Sequence, residues 1–136
     1  TLVAFDGGVF DVSMNEETLF PIFHPTGGTA TGNAVIAKLN PHVDAHDAIT
    51  RIIHQTGFAR ATVYGIGSLI GAHFADAPSM ASPISEVLIA PQATWDGTLT
   101  LPMTCVDPAG QQFAGDLTPG TSPVCVTFEL LVIEES

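Results

Sequence analysis

The sequence predicts a single compact α+β domain, mostly antiparallel strands with one main helix. One segment, DAHDAITRIIHQT (44–56), has helical periodicity with a cap at each end. The rest of the chain after residue 33 falls into short runs of β-forming residues bounded by Gly, Pro or Asp. Strand and helix patterns do not alternate, so a parallel doubly wound sheet is not expected.

Residues 1–32 carry brief apolar runs broken by Gly and Pro and read as an extended N-terminal arm ending in a Gly/Thr loop, ahead of a domain over 33–136. AVIAKL (34–39) is the first predicted core strand. In the helix, Asp44 supplies the N-cap, Asp47 an acid in the first turn, and Gly57 a left-handed stop. Ala45, Ala48, Ile49, Ile52 and Ile53 share its core face, and His54 lies nearly opposite, toward solvent. ARATVYGIGSLIGAHFAD, SEVLIAPQATW, GTLTLPMTCVD and VCVTFELLVIEE follow as strand segments. Asp107-Pro108-Ala109-Gly110 is a turn, with Pro fixing φ and Gly free to take a positive one. The last segment is apolar on both alternating faces, so both are expected to be covered.

Composition narrows the function. Apolar residues make up 46% of the chain and charged residues 12%, too few charges to clothe a monomer of this size, which points to surface covered by another chain or domain. Fourteen acids face three bases, Lys38, Arg51 and Arg60, for a net charge of −11. Phosphate neutralisation needs clustered Lys and Arg, so direct nucleic-acid binding and attachment to an anionic membrane are both disfavoured. With no long apolar run and two cysteines, Cys105 and Cys125, in apolar strand-like surroundings, a cytoplasmic location with reduced thiols is expected, a disulfide being the alternative.

The glycine cluster GIGSLIG (65–71) invites a phosphate-loop reading, but Ile70 stands where a dinucleotide fingerprint needs its third glycine, and no amphipathic helix follows. Gly65, Gly67 and Gly71 are instead expected to permit a bulge or close backbone approach. Ser68, His73 and Asp76 lack a nucleophile-elbow motif, and their local spacing does not make them converge. The five histidines, His24, His42, His46, His54 and His73, show no metal-binding spacing, and His73 reads as a core or interface histidine within a strand. Glu86 and Glu129 each interrupt an apolar strand, facing solvent or meeting Arg60 across a shared interface.

The ordered segments resemble the PPC domain (plants and prokaryotes conserved, DUF296) over residues 33 to 133. Leu39-Asn40-Pro41 before the helix, Gly65-Ile66-Gly67-Ser68 after it, SEVLIAPQATW, the hairpin CVDPAGQQFAGDLTPG and the closing VCVTFELLVIEE all carry this resemblance. It implies a trimer-forming α+β domain whose subunits pack their sheets together. Plant members grip AT-rich DNA with a separate basic Arg-Gly-Arg-Pro hook, which this sequence lacks. Many bacterial members carry three metal-ligand-like histidines, and at the matching positions this chain has Thr100, Pro102 and Asp116. No metal or other cofactor is therefore expected. NEETLFPIFHP (15–25) is similar to the segment that joins tandem PPC domains, which would make this the second of two, an ordinary arm being the alternative.

The resemblance and composition together give the expectation of a non-catalytic assembly domain of a regulatory, DNA-associated protein, acting as a homotrimer or beside a sister PPC domain and through protein partners. The alternative is a small-molecule-binding or enzymatic trimer with a pocket between subunits, for which Arg60, Ser68, His73 and Asp116 are the ligand-binding candidates. Arg60 would there anchor an anion.

Overall fold

A computed structural model describes residues 8–27 and 32–136. The Gly/Thr stretch at 28–31, expected as a loop, lies outside them. The domain is built on a fully antiparallel sheet whose main path runs β3(Ala34–Leu39), β10(Val124–Glu134), β4(Ala61–Leu69), β5(Glu86–Ile89), β8(Pro102–Val106), β9(Gln112–Asp116). Two short strands, β6(Thr94–Trp95) and β7(Leu99–Thr100), continue it beside the start of β4. SEVLIAPQATW and GTLTLPMTCVD thus each divide into two strands where one was expected.

Helix α1(Ala45–Thr56) packs against one face of the sheet, over β3 and β10. Asp44 Oδ1 accepts the Asp47 N–H at 2.9 Å, and Gly57 closes the helix in the left-handed conformation at φ 75°. Ala45, Ala48, Ile49 and Ile53 are buried against Val63, Phe128, Leu130 and Val132 in one core cluster, with Ile52 partly buried at its border. His54 is exposed as expected, and its ring meets Trp95 edge-on at 4.8 Å. At the β8–β9 turn, Asp107 Oδ1 accepts the N–H groups of Ala109 and Gln111, both at 2.9 Å, and Gly110 takes φ 81°.

Two expectations are corrected. The arm is a hairpin, β1(Val9–Met14) with β2(Pro21–Gly27), rather than a simple extended segment. Its turn is closed by Asn15, whose Oδ1 accepts the N–H groups of Glu17 and Thr18. The polar cluster Asn15-Glu16-Glu17-Thr18 between two apolar runs was the available signal. Strand β10 is covered on one face only by the described residues of its own chain: Val124, Phe128, Leu130 and Val132 are buried, whereas Glu129 on the other face is exposed and Leu131 and Ile133 are half-exposed.

Candidate functional site

The glycine segment shapes the sheet. Gly65 and Gly67 lie on the core face of β4, where β10 leaves no room for a side chain. A Cβ at Gly67 would come within 2.5 Å of Phe128 Cγ, and one at Gly65 within 2.7 Å of the Glu129 carbonyl oxygen. Opposite Ser68, β10 bulges: Val124 pairs with Leu69 and Phe128 with Gly67, so three residues of β10 oppose one of β4. The buried Ser68 hydroxyl accepts the Val126 N–H of that bulge at 2.9 Å. Its oxygen thereby satisfies a backbone donor that the broken ladder leaves unpaired.

The other candidate residues are likewise engaged locally. Arg60 precedes β4 and Ser68 is near its end, eight residues or about 26 Å apart along an extended strand. Within one chain Arg60 therefore does not share a site with Ser68. His73 lies between two isolated bridges rather than in a strand, and its exposed ring bonds Ser79 Oγ through Nδ1 at 3.2 Å, which corrects the reading of a core histidine. Asp76 Oδ1 accepts the Asp116 N–H at 3.0 Å. Ser68, His73 and Asp76 each bond a different partner and form no catalytic relay.

The β8–β9 register does bring together the positions where the resemblance expects ligands. Pro102 pairs directly with Asp116, and Thr100 lies two residues before Pro102. This set offers one carboxylate and no imidazole, and the Asp116 Oδ1 already accepts the Leu101 N–H at 2.7 Å. Such a donor set does not fit a metal ion. Among the described residues, no group of three His, Cys, Asp or Glu is placed to hold one.

Which residues form the uncovered face of the sheet is what sequence reasoning did not show. Ile36, Tyr64, Ile66, Leu88 and Leu131 line a shallow apolar depression of about 360 Å³, with Glu129 as its one charged group. Ile66 is 58% exposed and Leu88 57%, and the two pair directly across β4 and β5. Glu129 stands opposite Lys38 across β10 and β3. Burial lowers the Lys38 ammonium below its usual 10.5, and the Glu129 carboxylate pulls it back up. The cation near Glu129 in its own chain is thus Lys38 rather than Arg60. Period-two alternation in β10 showed that both faces were apolar, but only the position of α1 decides which one is left open.

No protein-family model matches the chain, and no curated protein matches it. Solved structures do. A plant- and prokaryote-conserved (PPC) protein of Pyrococcus horikoshii superposes with a TM-score of 0.54 at 14% identity, over 98% of this chain and 84% of that one. The chain has the PPC fold. A second structure similar to this PPC-like domain is a "putative DNA binding protein" of Bacteroides thetaiotaomicron, with a TM-score of 0.58 and 19% identity over 77% of this chain and 80% of that one. A third is a metal-containing protein of Archaeoglobus fulgidus, with a TM-score of 0.55 and 15% identity over 76% and 79%. At these identities the likeness of the PPC-like domain to its neighbours is one of fold. Among its described residues, no helix is long and apolar enough to cross a membrane.

Proposed function

We propose that this PPC-like domain is an assembly module of a regulatory complex, joining copies of itself as a homotrimer, or a sister PPC domain, through its open sheet face. It works in the cytoplasm through protein partners and contributes little or no DNA contact. One observation carries the reading: a sheet face bearing Ile36, Tyr64, Ile66 and Leu88, each more than a third exposed, that no element among the described residues covers. Contiguous apolar surface of this kind marks an interaction site. The fold supports membership of such an assembly. The description of the Bacteroides neighbour as DNA-binding transfers poorly, because three bases against fourteen acids cannot neutralise a phosphate track.

Light scattering on the purified chain tests the assembly. The expected mass is three times that of one chain, falling to one chain in Ile66→Asp. A monomeric wild-type chain would overturn the homotrimer. A gel shift at low salt tests the second half, with no retarded band expected for AT-rich duplex.

A second reading, a small-molecule site at a subunit junction, has the apolar depression and its single carboxylate in its favour. A thermal-shift screen of apolar amines against wild type and Glu129→Gln tests it, a Glu129-dependent rise in melting temperature being the supporting result.

A further inference from the structure

The hairpin β1–β2 is amphipathic the wrong way round for an appendage in water. In its register, Ser13 pairs with Ile22 and Asp11 with His24, and these form the face turned toward the domain: Ile22 is buried and His24 is half-buried against Lys38. The alternate positions pair Val12 with Phe23 and Met14 with Pro21, and Phe10 with Pro25. That outer face is entirely apolar and lies in solvent: Phe10 is 51% exposed, Val12 59%, Met14 60% and Phe23 64%. A two-stranded hairpin is at best marginally stable alone, and an apolar outer face makes it worse unless something covers it.

The large apolar side chains exposed among the described residues are almost confined to two places. Seven belong to the hairpin and its turn, four to the open sheet face, and Ile84 stands apart. The hairpin cannot cover the face of its own chain. His24 holds it at Lys38, on the β3 rim, whereas Ile66 and Leu88 lie on β4 and β5, two and three strands away, about 10–15 Å across the sheet.

Resting on the assembly reading, we propose that the outer face of each hairpin, centred on Val12 and Phe23, packs onto the open sheet face of the next copy, centred on Ile66 and Leu88. The occupant of the face is thus a second copy of this chain, and the hairpin is the element that reaches it. The large side chains of that outer face present roughly 400 Å², about half of the about 800 Å² per partner that a standard interface removes from water, and the exposed Val9, Leu19 and Phe20 beside it supply most of the remainder. Two different, complementary surfaces on one molecule make a head-to-tail contact, which closes into a ring when the rotation between copies divides the full turn and otherwise grows into a filament. A ring of three satisfies every hairpin and every face.

The test uses two variants of the full chain, Val12→Glu/Phe23→Glu and Ile66→Glu/Leu88→Glu, with light scattering as the readout. All four positions are more than half exposed, and matching far-UV circular dichroism establishes that each variant is folded. If either glutamate pair prevents folding, the serine pairs at the same positions take its place. Alone, each variant is expected to fall threefold in mass, from trimer to monomer. Mixed in equal amounts they are expected to form a heterodimer, because one intact hairpin then meets one intact face. If the hairpin variant stays trimeric while the face variant falls to monomer, the faces pack on one another: the hairpin proposal is overturned and the assembly reading survives. Two monomers that fail to complement each other also overturn it. A monomeric wild type overturns both.

Discussion

His24 on the hairpin accepts a hydrogen bond at Nδ1 from the Lys38 ammonium, 3.2 Å away, while its Nε2 pairs with Ser13 Oγ at 2.7 Å. Because an ammonium can only donate, this geometry selects the neutral imidazole carrying its proton on Nε2. The contact joins the arm to the rim of the open face.

That contact helps to hold the hairpin on the domain. His24→Ala removes the acceptor that the Lys38 ammonium uses on the hairpin and is expected to weaken docking by about 1 kcal/mol, roughly a five-fold rise in chymotryptic cleavage at Phe20 and Phe23. An unchanged cleavage rate in that variant would mean that the buried Ile22, rather than the hydrogen bond, holds the hairpin down.

Gly67 should not tolerate alanine. Its Cβ would overlap the fully buried Phe128 ring, and the sheet must shift to admit it. Gly67→Ala is expected to cost about 1–3 kcal/mol in chemical denaturation, the range of an overpacked core. If the segment instead served as a phosphate loop, the variant would change ligand binding and leave stability alone.

Asp116 acts through its carboxylate oxygen on the backbone N–H of Leu101, beside a side chain that is fully buried. Asp116→Asn keeps an oxygen acceptor there and is expected to stay within about 0.5 kcal/mol of wild type. Asp116→Ala leaves the donor unpaired and should cost about 1–3 kcal/mol. Equal losses in both would mean that the negative charge, rather than the acceptor, is what matters.

Cys105 sets an alkaline limit. Burial raises its thiol from 9.0 to about 11, so between those values the unfolded chain ionises while the folded chain stays protonated. Stability is expected to fall by up to about 3 kcal/mol as pH rises through that window, with no contribution below it. Lys38 has the opposite sign. Its lowered value is a cost fully present at neutral pH that shrinks as pH rises through the lowered range. Urea midpoints of wild type and Cys105→Val between pH 8 and 10.5 isolate the thiol, because the Lys38 contribution is common to both. The same burial protects Cys105 from alkylation, and the half-buried Cys125 should react first.

Local physics made much of this protein readable from its sequence. Capping and periodicity put the helix at 44–56, turn chemistry put a hairpin at Asp107–Gly110, and the glycines of GIGSLIG announced a close approach of backbone. Each depends on residues near in sequence, so each leaves a local trace. What the tertiary structure decided was long-range. Sequence could show that both faces of β10 were apolar, but covering one with α1 and leaving the other open depends on where a helix 70 residues earlier comes to rest. The roles of Ser68 and Asp116 were equally hidden, since their backbone partners lie 58 and 15 residues away in the sequence. So was the separation of Arg60 from Ser68, because a strand holds its two ends apart however suggestive their side chains look together.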